Sequence, residues 1–337
     1  MATMKDVAKL AGVSVATVSS TLSGRSFVSD ELKQRVEAAI RELGYAPNAM
    51  ASGLKRGTSS LIGLIVPDIT NPFFTELVHC IQRRAAEAGF VVLLGVSDDQ
   101  VAREVELIAL MRSHQVAGTI VIPCGGEQDC MNLSRLAAGM PLVAADNAPP
   151  GMAVDTVVLD NRMAATLATS HLLSLGHRII ATIAGPPHRF VSHERFVGFT
   201  TVLEGKGLSV GADHVKRGDF HVASAREAGL ALLQSAPRPT AIFVANNQML
   251  IGTMQAVAEM RLSVPRDVSI IAIDDFPWAA AFTPTLTTVR QPIDALAEAA
   301  IERLKLRVGG LQEDPCRVVL APELVIRQSC RAPLEDA

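Results

Sequence analysis

The sequence predicts an all-α head of three short helices followed by an α/β region of two doubly wound parallel sheets. Three observations predict it. Apolar residues over the first 45 positions recur at helical spacing; from position 61 they gather into short runs separated by helix-length segments; and 337 residues are enough to bury more than one core. The composition agrees, since 49% hydrophobic and 19% charged residues argue against disorder. One Trp and one Tyr leave the cores to Val, Ile, Leu and Ala.

In the head the helical stripes are Val7, Leu10 and Ala11, then Val15, Val18 and Leu22, then Leu32, Val36, Ile40 and Leu43. Their boundaries carry cap chemistry. Thr3 to Asp6 opens the first helix and Gly12 breaks it, Ser14 and Ser29 are placed to cap the second and third, and Gly44 ends the third. A tight Gly-Val-Ser turn between two short helices is a helix-turn-helix signature. Pro47 then forbids continuation, residues 48 to 55 (NAMASGLK) are short and potentially helical, and Thr58-Ser59-Ser60 reads as a linker.

Beyond the linker, LIGLIV (61–66), FVVLLG (90–95), GTIVI (118–122) and LVAA (142–145) read as buried parallel strands of one lobe. A second series reads TVVLD (156–160), RIIATIAG (178–185), AIFVAN (241–246) and SIIAID (269–274), with no residue-level repeat of the first. The late run RVVLAPELVI (317–326) is placed to return to the lobes and tie them together.

The net charge of -3 hides an asymmetry. Residues 1 to 60 hold eight Lys and Arg against five acids, a local excess of +3, so the remainder carries -6. Only the head could attract a polyanion. Cys80, Cys124, Cys130, Cys316 and Cys330 are odd in number and scattered without a C-x-x-C pair, which predicts reduced thiols, no metal and no cofactor. The opening MATMKDVAKL has no apolar signal region and no run is long enough to span a bilayer, so a cytoplasmic protein with no membrane partner is expected.

Several stretches then fall into a known order: MKDVAKLAGVSVATVSSTLSG, YAPNAMASGLKRG, IGLIVPDITNPFF, VVLDN, HERFVGF and SVPRDVSIIAIDDFPWAAAFTPTLTTVRQP. Over essentially its whole length the chain resembles the lactose-repressor/galactose-repressor family of transcription regulators. The resemblance implies a DNA-binding domain at 1–46, a hinge helix and linker at 47–60, and a periplasmic-binding-protein-like sensor at 61–337. Within the sensor it implies an N-lobe of about 61–160 and 290–320 and a C-lobe of about 161–289 and 321–337. It further implies a homodimer on near-palindromic, double-stranded operator DNA, acting as a repressor of carbohydrate catabolism or uptake genes. A sugar or sugar derivative between the lobes would alter hinge-helix pairing and hence operator affinity.

By the same resemblance the second helix lies in the major groove with Val15, Ala16 and Thr17 toward base edges. Thr17 and Ser20 offer hydroxyls to bases, whereas Val15 and Ala16 offer only apolar contact to a thymine methyl. Ser19 and Asn48 are assigned to phosphates, and Thr3, Ser14, Ser26, Ala51 and Lys55 complete the DNA-binding set. Many relatives carry a large polar or basic residue where Ser20 stands. Leu54 is the expected wedge into the central base step. Gly53 replaces the Arg of many relatives and costs about 0.5 to 1 kcal/mol of helix relative to Ala. Gly53→Ala is therefore expected to tighten operator binding; unchanged or weaker affinity in an operator titration would contradict this.

Polar groups at the C-terminal ends of parallel strands, facing a cleft between two lobes, are the expected ligand contacts. They are Asp68, Asn71, Phe73 and Asp146 from the first lobe and Asp160, Arg195, Phe220, Asn246 and Asp274 from the second. Arg195, Asn246 and Asp274 match ligand positions of the resembled motifs. Asn71-Pro72 also opens a helix whose amides could take a ligand oxygen. Arg, Asn and Asp groups with aromatic faces at Phe73, Phe220 and Trp278 suit a polyhydroxylated molecule. Each residue has a plainer alternative: Asp146 and Asp160 as loop caps, Phe73 and Phe220 as core, Arg195 as a solvated helix residue. The basic cluster of His188, Arg189, His193 and His221 leaves an acidic sugar open, and Asn247 stands where the family usually has Asp.

Two other function classes fit less well. A protein that only carries a small molecule would have no use for the head, and an enzyme is disfavoured because G-x-G-x-x-G after a strand, a P-loop, G-x-S-x-G and HExxH are all missing.

Overall fold

The computed structural model describes residues 2–23, 28–45, 59–137 and 139–334. The chain divides into two compact units, Met1–Ser59 and Ser60–Ala337.

The first unit contains α1 (Met4–Ala11), α2 (Val15–Ser23) and α3 (Asp30–Leu43). Thr3 and Asp6 form a reciprocal capping box, and Gly12 and Gly44 end α1 and α3 in the left-handed conformation. Ser14 Oγ accepts the Thr17 N–H at 3.0 Å and so caps α2, whereas Ser29 occupies the N-cap position of α3 without a side-chain bond. Val7, Ala8, Ala11, Val18, Val36 and Ala39 make the core. Arg35 of α3 donates to the Ala11 carbonyl at 2.6 Å, filling an acceptor that the end of α1 leaves free.

The second unit holds, among the described residues, two six-stranded sheets. The first takes β1 (Leu61–Val66), β2 (Val91–Val96), β3 (Thr119–Val121), β4 (Leu142–Ala145), β5 (Asp155–Leu159) and β11 (Arg317–Leu320) in the order β11-β5-β4-β3-β1-β2, all parallel. One face is covered by α4 (Pro72–Glu87) and α11 (Ile293–Val308), the other by α5 (Val101–Ser113) and α6 (Glu127–Leu136). The second takes β6 (Ile180–Ala184), β7 (Val215–Arg217), β8 (Ala241–Val244), β9 (Ser269–Ile273), β10 (Thr287–Arg290) and β12 (Glu323–Val325) in the order β12-β10-β9-β8-β6-β7. Of these strands, only β12 runs antiparallel. α7 (Asn161–Ser174) and α8 (Phe190–Glu204) pack on one face, α9 (Val222–Leu233) and α10 (Asn247–Glu259) on the other.

The chain passes between lobes three times, after β5, after β10 and between β11 and β12. TVVLD therefore belongs to the first sheet, not to the second series where its spacing placed it. A strand buried on both faces, as β5 is, carries no periodicity that says which sheet it joins. β7 and β10, which the apolar runs did not mark, complete the second sheet; VKR and TTVR are short and mixed in polarity.

Candidate functional site

The cleft between the lobes is built by one rule: residues just past the C-terminal ends of strands face it. Asp68 follows β1, Asp99 β2, Ile122 β3 and Asp146 with Asn147 β4. From the other lobe Arg189 follows β6, Phe220 β7, Asn246 β8, Asp274 β9 and Gln291 β10. Asn71, Phe73 and Phe74 enter at the start of α4, and Val191 and Arg195 from α8. The cavity is about 50 Å³, room for a few waters.

Eight of the nine predicted ligand residues line it; the ninth, Asp160, does not. Its carboxylate caps α7 by accepting the Met163 N–H at 2.8 Å, and the next residue, Asn161, reaches the site by accepting from Arg195 Nε at 2.7 Å. Trp278 is also absent from the lining; it is exposed and packs on Phe276. Of the amides that the start of α4 was expected to offer, that of Phe73 is taken by Asn71 Oδ1 at 3.0 Å. Asp99, Asn147 and Gln291 were missed as contacts, while Arg189 and His221, read from the sequence as part of a basic cluster, also line the cleft; the strand-end rule, applied to β2, β4, β6 and β10, finds Asp99, Asn147, Arg189 and Gln291.

Arg195 organises the charges. It is buried, donates to the Ala245 carbonyl at 2.6 Å and lies 4.0 Å from Asp274. Burial pushes Asp146 up to about 6; Arg195 and Arg189 oppose the shift and Asp274 adds to it. Asp146 Oδ1 is buried without a hydrogen-bond partner. Burial also raises Asp274, against the pull of Arg195, the Gln291 bond at 2.6 Å and the Asn247 amide. Asp99, Asp146, Phe220 and Asp274 all have positive φ, at 58°, 59°, 63° and 74°. Such backbone is costly for a bulky residue, and strain of this kind collects at binding sites. The Phe220 ring is held over Gly185, where a Cβ would lie 2.3 Å from it, and Asn246 Nδ2 donates to the Phe220 carbonyl at 3.4 Å.

Three polar contacts cross the cleft directly. Arg189 pairs with Asp99 at 2.8 Å, the Val191 N–H donates to Asn147 Oδ1 at 3.3 Å, and Asn247 Nδ2 donates to Asn71 Oδ1 at 3.0 Å. The last depends on an amide at Asn247, since an ionised carboxylate there would have no proton to donate.

In the head, α2 carries no charged residue. Val15 and Ala16 are exposed, Thr17, Ser19 and Ser20 half-buried and Thr3 and Ser14 exposed at their caps. Ser26, Asn48, Ala51, Leu54 and Lys55, together with Gly53, lie outside the described residues.

Residues 3–48 match the profile described as bacterial regulatory proteins, lacI family, and residues 169–330 match a periplasmic binding protein-like domain. The ribose operon repressor of Escherichia coli strain K12 is 36% identical over 330 residues, covering 98% of this chain and 100% of that one. This chain belongs to the lacI family of bacterial regulatory proteins. Members of the family are ligand-responsive, DNA-binding regulators of transcription, and the lacI-type head and two-lobed sensor described above are the parts that such control requires. The HTH-type transcriptional repressor PurR of Photobacterium profundum is 33% identical over 331 residues, 98% of this chain and 99% of that one. Among solved structures, the lac repressor dimer bound to operator and the anti-inducer ONPF aligns with a TM-score of 0.90 at 28% identity, covering 98% of this chain and 99% of that one. Among the described residues, no helix is long and apolar enough to cross a membrane.

Proposed function

We propose that this chain represses genes of carbohydrate catabolism or uptake as a homodimer on a near-palindromic operator. Its effector is a small polyhydroxylated molecule, a sugar or sugar derivative, held in the cleft. The observation that carries this reading is the Asp146–Arg195–Asp274 cluster: two buried carboxylates lie within the field of one guanidinium, and one carboxylate oxygen is left unpartnered in a cleft that Phe73 and Phe220 also line. Hydroxyls both donate and accept, so vicinal hydroxyls suit acceptors and a donor that converge, while their C–H faces pack on rings. The ribose operon repressor relative supports the same class of molecule. Boundaries at 1–46, 47–60 and 61–337 fit this reading, with the segment 47–60 relaying cleft closure to the head as an allosteric coupling.

The test is a thermal-shift screen of the full chain against pentoses, hexoses, polyols and free nucleobases, followed by operator titration with the hit. A true effector stabilises the folded state by mass action. A sugar or polyol should raise the melting temperature and change operator affinity, and Asp274→Asn should abolish both effects. A nucleobase that does so while every sugar stays silent would overturn the proposal.

A further inference from the structure

The cleft is rich in negative charge. Asp68, Asp99, Asp146 and Asp274 line it against Arg189 and Arg195, and Glu104, 1% exposed, lies behind them within the field of Arg189. Both guanidiniums already hold partners, although Arg189 Nε remains a buried donor without one. Arg189 holds Asp99 at 2.8 Å, and Arg195 holds Asn161 Oδ1 at 2.7 Å and the Ala245 carbonyl at 2.6 Å.

At the helix N-termini, the other usual holders of an oxyanion, a side-chain oxygen already occupies one amide in each case. Asn71 Oδ1 accepts the Phe73 N–H of α4 at 3.0 Å, Asn246 Oδ1 the Met249 N–H of α10 at 2.9 Å, and Asn147 Oδ1 the Val191 N–H of α8 at 3.3 Å. The buried oxygen of Asp146 without a partner is an acceptor, so it calls for a donor from the ligand. Among the described residues, the only further basic side chain in the lining is the exposed imidazole of His221.

We propose that the effector is uncharged, and that the cleft rejects the phosphorylated or carboxylate form of the same molecule. Resting on the sugar reading above, this means that the chain senses a free polyol, upstream of whatever phosphotransfer or oxidation would turn it into an anion. An added anion would meet four carboxylates set against two guanidiniums, an excess of negative charge in a small cavity, and like-charge juxtaposition of this kind is unfavourable.

The experiment titrates the full-length protein calorimetrically with matched pairs: ribose and ribose 5-phosphate, glucose with glucose 6-phosphate and glucuronate, inosine and inosine 5′-monophosphate. The neutral member of a binding pair should bind at least about 100-fold tighter. Asp99→Asn, which releases Arg189, should narrow that gap about tenfold. Asp68→Asn, at a half-buried position away from the Arg189 pair, should narrow it by a smaller factor and guards against a folding defect in the first variant. An anionic member that binds as tightly as its parent overturns the inference while leaving the sugar reading intact. A preference for inosine over its monophosphate with all sugars silent upholds the charge selection and ends the sugar reading. Silence across every pair ends both.

Discussion

At the scale of single residues, Asp146 ties the chemistry of the cleft to pH. Its carboxyl is raised to about 6, first by burial, against Arg195 and Arg189 and with Asp274. An effector that donates a hydroxyl to it favours the ionised form, so affinity should rise with pH through 6 and level off above. Between pH 7 and pH 5 a single such group gives about a tenfold loss of affinity, readable by calorimetry, and Asp146→Asn should flatten the profile. Stability of the effector-free protein runs the opposite way. Between about pH 4 and 6 the native Asp146 holds a proton that the unfolded chain has released, so its contribution falls as pH rises across that window. The sequence made Asp146, Arg195, Asn246 and Asp274 legible because each stands one or two residues past an apolar run or in a resembled motif. Asn161 was hidden behind Asp160, since nothing in the sequence says which of two adjacent polar residues caps the helix and which turns inward.

At the scale of elements, two features fix how helices and strands are held. α9 and α10 pack so closely that a Cβ on Gly252 would lie 2.2 Å from the Val222 carbonyl oxygen, a contact with rigid backbone. Gly252→Ala should therefore destabilise the second unit by about 1–3 kcal/mol through overpacking, despite the better helix propensity of Ala, as denaturant titration would show. β5 is tied to α11 by Asp155, whose side chain has no exposed surface and meets Arg303 at 3.0 Å and Arg307 at 2.7 Å. Burial alone would raise this carboxyl; the two guanidiniums and the Cys316 N–H outweigh it and hold it at about 2. Asp155→Ala should cost about 3 kcal/mol near neutral pH, because it leaves two largely buried cations facing each other. The native pKa is depressed, so this stabilisation is complete above about pH 4. It fades as pH falls toward 2, and the gap between wild type and variant in an acid unfolding series should close over that range. The strand series misassigned β5 because what holds it in the first lobe is non-local, namely its ladders with β4 and with β11 about 160 positions later and this charge contact with α11, which no local pattern reveals.

At the scale of the whole molecule, the head and the second unit have separate cores, and the difference between those cores sets a testable order of events. Among the described residues, six small buried side chains hold the head, four of them Val7, Val18, Val36 and Ala39, whereas each sheet of the second unit is sandwiched between two buried layers. A core of that size gives the head little stability of its own. Its fold was nonetheless the most legible part of the sequence, because caps and helical stripes are local signals, while the pairing of lobes is not. Scanning calorimetry of the full chain without DNA should show a small, low transition from the head and a larger one from the second unit. An effector at 100 times its dissociation constant should stabilise only the larger transition, by about 2.7 kcal/mol, since it binds residues of that unit alone. Operator DNA should raise the smaller one. A single transition that moves as a whole with effector would mean instead that head and cleft unfold as one cooperative body, and effector binding would then be felt at the head through stability as well as through the segment between them.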